Sequence, residues 1–170
     1  DDKSYPYVLL DERHSFPKLV YMRRPKKQKK QKLFGPFASA VALRSALRVL
    51  NRSFRLRDCS DSEFANRSRP CINHQIGLCS APCTGLISQT DYRSDVEKAL
   101  KVLSGHAEIV IEQLEKEMDQ FAAAEEFEQA ARVRDQLSFL LETIKKRKTG
   151  ASVERGARDL TSRDIVGWYR

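Results

Sequence analysis

The sequence predicts an α+β chain in three parts: short strands with one helix, a cysteine-rich stretch, and an antiparallel helical hairpin. Short runs rich in β-formers cluster near the start, four cysteines fall between 59 and 83, and apolar residues recur at helical spacing from 88 to about 148. The 170 residues allow one compact domain or two small modules in tandem. The longest apolar runs, such as Val8-Leu9-Leu10 and Ile109-Val110-Ile111, fall far short of the ~20 residues of a bilayer span. The expected setting is therefore cytoplasmic, with no membrane partner.

Tyr5 to Leu10 and Lys18 to Met22 read as two strands joined by a long turn. Pro6 has no N–H to donate, so it suits an edge or a strand's first residues. The run from Arg23 to Lys32 carries seven basic residues around one proline, and reads as a mobile basic loop. Phe34-Gly35-Pro36-Phe37 reads as a turn, and Ser39 as the N-cap of a helix whose inward face is Leu43, Ala46, Leu47 and Leu50. Arg44, Arg48, Arg52 and Arg55 recur every three or four residues along that helix and its exit. Such a stripe suits either a phosphate backbone or a solvated face.

Residues 59–88 hold all four cysteines with little helical or strand period, so apolar burial alone does not order them. From Ser88, with Asp91 three residues on, a helix carries Tyr92, Val96, Ala99, Leu100 and Leu103 on one face and breaks at Ser104-Gly105. A second helix stacks Val110, Leu114, Met118 and Phe121. A third begins near Phe127 and runs through Ala130, Ala131, Arg134, Leu137, Leu141 and Ile144. The short link Ala124-Glu125-Glu126 folds the last two back as a hairpin over about 106–141. Acidic residues at the start of the third helix and Lys145 to Lys148 at its end complement the helix dipole. Residues 149–170 read as a linker followed by the first strand of a further domain, and Asp1-Asp2-Lys3-Ser4 as the interior of a longer chain.

Cys59, Cys71, Cys79 and Cys83 are spaced C-x11-C-x7-C-x3-C. Disulfides suit small exported scaffolds, and buried structural thiols do not usually cluster where there is little core. Thiolates around a soft metal supply the missing crosslink. Zinc sites usually present paired knuckles, and only Cys79 and Cys83 make one. A [4Fe–4S] cluster tolerates ligands on scattered loops, so the spacing favours it over zinc, which stays as the alternative. His74 lies within this segment and reads as a polar surface residue or a support to a ligand.

The net charge of +8 is unevenly spread. Residues 1–58 carry fifteen basic and five acidic side chains, residues 59–88 two of each, and residues 89–150 ten basic and thirteen acidic. A block as positive as the first suits a polyanion, with nucleic acid as the default.

FGPF, NRSFRLRDC, NRSRPCINHQIGLCSAPCTGLIS and FEQAARVRDQL occur in this order. Together they resemble the UvrC family, the nuclease of the bacterial UvrABC excinuclease, from DDKSYPYVLL to DIVGWYR. The resemblance implies that residues 1–58 are the end of a GIY-YIG nuclease domain and 59–88 a cysteine-rich module. Residues 89–148 would hold the UVR hairpin, and 149–170 the approach to a second nuclease. It implies a [4Fe–4S] cluster on Cys59, Cys71, Cys79 and Cys83. It also implies damaged double-stranded DNA, UvrB and other domains of the same protein as partners. By the same resemblance neither active site of that family is expected to be complete in this chain, and no catalytic residue is assigned. DNA contacts are expected at Arg67, Arg69, Lys26, Lys27, Lys29, Lys30, Lys32, Arg44 and Arg48, although Arg67 and Arg69 also suit bracing of their own loop. Phe127, Ala130, Ala131 and Arg134 are expected to meet UvrB. On the residues alone, Phe127 suits an internal staple equally well. An independent nuclease and a zinc-binding adaptor without a DNA role are the competing functions.

Overall fold

A computed structural model describes residues 5–26 and 29–150, with side chains described as far as residue 142. The chain divides into two compact units, Asp1–Ala99 and Leu100–Arg170. The α+β class agrees with the sequence.

The first unit holds a three-stranded antiparallel sheet of β1 (Pro6–Asp11), β2 (Leu19–Arg23) and β3 (Gln31–Phe34), in the order β2-β1-β3. β1 alternates strictly, turning Pro6, Val8 and Leu10 inward, as a half-buried strand should. Pro6 is its first residue, where the missing N–H costs no ladder bond, and its carbonyl accepts from Phe37 N–H at 2.9 Å. Val8 pairs with Tyr21 on one side and Phe34 on the other. β3 corrects the reading of residues 23–32 as loop throughout. Gln31 and Lys32 form ladder pairs with Asp11 and Leu10, and Lys32 Nζ meets Glu12 Oε1 at 2.7 Å. A four-residue strand has too little period of its own to stand out from the charge run before it; the free edge of β1 induces it.

Gly35 follows with φ +125°, and a Cβ there would stand 3.0 Å from the Tyr7 ring and 3.2 Å from the Pro6 carbonyl. Both conformation and space restrict this position to glycine. Helix α1 (Ala40–Ser53) starts at the expected cap, Ser39 Oγ accepting from Ala42 N–H at 3.2 Å. Leu43, Leu47 and Leu50 are buried and Arg44, Arg48 and Arg52 exposed, so the inward face and the basic stripe are both real.

Residues 59–88 hold more regular structure than expected: α2 (Asp61–Ala65), α3 (Ile72–Gln75) and a 3-10 turn (Pro82–Thr84). α2 has a full capping box, Ser60 Oγ accepting from Glu63 N–H while the Glu63 carboxylate accepts from Ser60 N–H. One or two turns of helix are too short to show a period.

Helix α4 (Gln89–Leu103) begins at the expected Ser88–Asp91 pair, Asp91 N–H donating to Ser88 Oγ at 3.0 Å. Tyr92, Val96 and Ala99 are buried, as their spacing predicts. The Tyr92 hydroxyl donates to the Pro17 carbonyl at 2.9 Å and accepts from Arg57 N–H at 3.2 Å. Burial therefore raises the Tyr92 phenol well above its ordinary value, while Arg23 and Arg44 lower that of Tyr21. Tyrosinate absorbance is expected to rise in separate phases, Tyr21→Phe deleting the earliest and Tyr92→Phe the latest. Since folded Tyr92 keeps its proton while the unfolded phenol ionises near pH ~10, the first unit loses stability as pH climbs past that point. A single phase at the ordinary phenol value would contradict this packing.

In the second unit α5 (Ala107–Ala123) and α6 (Phe127–Gly150) form the antiparallel hairpin. Val110 and Leu114 from α5 face Val133, Leu137 and Leu140 from α6, all buried. The inward stripe of α6 is thus rotated from the run through Arg134 and Leu141, both exposed, and it includes buried Gln136. Alanines on several faces leave the phase of that helix undetermined until α5 packs on it. The expected strand at the end of residues 149–170 lies outside the described residues.

Candidate functional site

The cysteine segment is organised around a buried cation. Arg57 is 1% exposed, and each nitrogen of its guanidinium has an acceptor: Nε the Phe16 carbonyl at 2.6 Å, Nη1 the Cys59 carbonyl at 3.1 Å, Nη2 Asp61 Oδ1 at 2.7 Å. The Phe64 ring lies 4.9 Å from its central carbon. Phe16, Phe64, His14 and Tyr92 form a ring cluster beside it, with centroid separations of 4.9 to 5.8 Å. A buried charge is tolerated only when its hydrogen-bonding capacity is met in this way. This corrects the expectation that nothing besides a metal orders the stretch: Arg57 crosslinks it to the β1–β2 turn.

Three of the cysteines then have their own local support. The Cys59 carbonyl accepts from both Arg57 and Lys18, the latter at 2.9 Å. Cys71 stands at the N-cap of α3, its carbonyl accepting from His74 N–H at 3.0 Å. Asn73 joins α3 to the preceding cysteine loop, its Nδ2 donating to Asp58 Oδ1 at 3.2 Å, while its carbonyl accepts from Cys79 N–H at 3.1 Å. His74 Nδ1 lies 3.0 Å from the Cys79 carbonyl, so that nitrogen is the protonated one and the ring braces a cysteine. Ser80 donates twice to the Arg55 carbonyl, tying the third cysteine loop to the exit of α1. Ala81 adopts the left-handed conformation at φ 52°, and its N–H donates to Cys79 Sγ at 3.4 Å.

The four thiols lie within electrostatic reach of one another. Burial, against the opposing Ala81 N–H and with smaller help from Cys71, Cys59 and Cys83, pushes the Cys79 thiol up to about 11. Cys83 is raised by burial and by Cys59 and Cys71, with Arg67 pulling against them. Buried thiolates crowded together repel, and a bound cation removes that penalty. Among the described residues no three His, Cys, Asp or Glu side chains are close enough to share one metal ion. The donor set still fits a sulfur-ligated group wider than a single ion, in which every metal takes its own thiolate.

The basic residues are distributed over the first unit. Lys26, Lys29 and Lys30 are exposed on the β2–β3 connection, and Lys27 lies outside the described residues. Lys32 is committed to Glu12. Arg44 stacks 4.5 Å over the Tyr21 ring, whose hydroxyl accepts from Arg23 Nε at 2.9 Å, and Arg48 follows one turn along α1. Arg67 and Arg69 are exposed and line a shallow hollow with Glu63, Asn66 and Ser68. In the second unit Phe127 is 68% exposed, Ala130 and Ala131 are half-buried, and Arg134 lies along the helix surface against Asp135 at 3.0 Å.

Sequence reasoning missed Arg57, Lys18, Tyr21, Arg23 and the hydroxyl of Tyr92. Arg57 was legible only as one more positive charge. Its neighbours Phe54 and Leu56, both buried, are the local hint that the backbone there runs inside.

The model of the UvrC/Cho excinuclease middle domain matches residues 5–102, and that of the UvrB/uvrC motif matches 108–143. The UvrABC system protein C of Hahella chejuensis is 46% identical over 141 residues, covering 82% of this chain and 23% of that protein. The same-named protein of an Anaeromyxobacter species is 42% identical over 171 residues, covering 100% of this chain and 23% of its own. That of Methylococcus capsulatus is 41% identical over 167 residues, covering 98% and 27%. The chain thus spans about a quarter of the length of these curated relatives. No solved structure matches it. Among the described residues no helix is long and apolar enough to cross a membrane. With a family model covering more than half of its residues, and the cysteine segment and hairpin both inside matched regions, this chain belongs to the UvrC/Cho excinuclease family.

Proposed function

We propose that this chain is the central scaffold of a cytoplasmic nucleotide excision repair endonuclease, one that incises damaged DNA on both sides of a lesion. In this reading Cys59, Cys71, Cys79 and Cys83 hold a [4Fe–4S] cluster, the basic residues of the first unit contact DNA phosphates, and the hairpin docks on UvrB. Incision belongs to other domains of the same protein.

The observation that carries it is that the chain's four cysteines share one segment whose loops are braced at the Cys59, Cys71 and Cys79 backbone, with Cys79 and Cys83 each within electrostatic range of the others. Neutral, unligated thiols gain nothing from such crowding, whereas thiolates on a metal core are held by it. The group's part is to crosslink the loops and fix the Arg67–Arg69 segment beside it. Arg67 and Arg69 make no hydrogen bond or ion pair among the described residues, which favours an external phosphate over bracing of the loop. Tyr21, with Arg23 and Arg44 on either side, adds a second basic surface of the same chemistry.

Anaerobic purification tests the metal: brown protein with a visible thiolate-to-iron charge-transfer band, and equal iron and acid-labile sulfide, is expected. Cys79→Ser should abolish both. Colourless protein carrying zinc would replace the cluster with the adaptor reading. For the DNA contacts, alanine at Arg67 and Arg69 together should reduce the salt slope of duplex binding by about two counterions. An unchanged slope removes these two from the interface.

A further inference from the structure

On the footing that the four thiols hold a metal group, we propose that Lys18 and Arg57 are its positioning residues, a pair of cations clamping the peptide of the first sulfur ligand. A carbonyl oxygen has two lone pairs, and the Cys59 carbonyl fills both from cationic donors: Lys18 Nζ at 2.9 Å and Arg57 Nη1 at 3.1 Å. The two donors come from different parts of the chain, Lys18 from the residue before β2 and Arg57 from the segment leading into the cysteines. Charge-assisted bonds are shorter and stronger than neutral ones, so the peptide is fixed from both sides. Arg57 is fixed in turn by the Phe16 carbonyl and Asp61, and its own N–H by the Tyr92 hydroxyl.

This arrangement does two things for a thiolate-ligated core. It sets the Cys59 backbone before the metal arrives, which slows loss of that ligand. It also brings positive charge beside an anionic centre, favouring the more negative, reduced state. The acidic groups facing the pair are Asp61, paired to Arg57 and within electrostatic range of Lys18, and Glu63, within range of Lys18. Asp61 offsets part of the Arg57 charge and lies largely in solvent, at 68% side-chain exposure. Lys18 makes no ion pair among the described residues, so its charge is the less compensated of the two.

Lys18 is half-buried at a strand entrance, where its stem can be kept while its charge is removed. The test uses the chain as purified anaerobically with its metal, comparing wild type with Lys18→Met, Lys18→Arg and Arg57→Lys. Lys18→Met should release iron to a strong chelator at least about threefold faster than wild type, with circular dichroism unchanged. It should also lower the midpoint potential in a dithionite titration. Lys18→Arg, whose guanidinium reaches the same carbonyl, should restore both. Arg57→Lys keeps the charge but not the three-way fork, and should accelerate release with less effect on potential. Equal release rates and potentials in Lys18→Met and wild type would overturn the clamp, as would equal behaviour of the Met and Arg variants. If wild type carries zinc, zinc release is the readout and the same ranking applies. Wild-type protein without either metal would defeat the metal reading itself, and the clamp with it.

Discussion

Arg57→Ala should destabilise the first unit by about 3 kcal/mol or more, read as a shift in its denaturation midpoint. Arg57 is the largest of the fully buried side chains, so truncation leaves a cavity. It also strips the Arg57 donor from the Phe16 carbonyl, and an acceptor left without a partner costs about 1–3 kcal/mol when buried; the Cys59 carbonyl loses one donor of two and keeps Lys18. The Asp61 ion pair contributes little by comparison, because Asp61 is 68% exposed and an exposed partner is worth about 0–1 kcal/mol. Asp61→Asn should therefore be nearly silent where Arg57→Ala is severe. If both variants lost the same amount, Arg57 would be acting as an ion-pair partner and not as a crosslink between backbone segments. A near-wild-type midpoint for Arg57→Ala would remove it from the organisation of the cysteine loops altogether.

In the hairpin, Leu114→Ala and Phe127→Ala should separate stability from docking. Leu114 is fully buried between α5 and α6, and its truncation should cost about 3 kcal/mol. Phe127 opens α6 with two thirds of its surface in solvent, so its removal should change hairpin stability by no more than about 0.5 kcal/mol. An internal staple would be covered, and Phe127 is not; its exposure supports the docking reading over that one. On that reading Phe127→Ala should weaken binding to the matching hairpin of UvrB by more than about 1 kcal/mol, the usual loss for an aromatic anchor. Calorimetric titration with helicity monitored in parallel distinguishes the cases. Unchanged affinity with unchanged helicity would exclude Phe127 as an anchor.

Several features were legible because they are local. The Ser39 and Ser88 caps, the β-forming run of β1, the inward leucines of α1 and the tight turn before Phe127 each follow from neighbouring residues. Chemical type and spacing were equally readable: four thiols in a segment poor in apolar residues point to a crosslinking group before any fold is known.

What the sequence could not show is what depends on partners distant in the chain. β3 exists because β1 has a free edge, and the phase of α6 because α5 packs against one of its several plausible faces. Arg57 looks like the exposed arginines of α1 until the Phe16 carbonyl, 41 residues earlier, is brought to 2.6 Å. Tyr92 looks like any apolar residue on a helix face until its hydroxyl reaches Pro17. The sequence by itself determined the four long helices, the Ser39 and Ser88 caps, the donor atoms and the sign of the charge, all of which are set within a few residues by covalent spacing and backbone propensity. Only the tertiary structure decided which cation is buried and which carbonyls it joins. The energy of a buried charge depends on every group that closes around it, and those groups come together only when the chain folds.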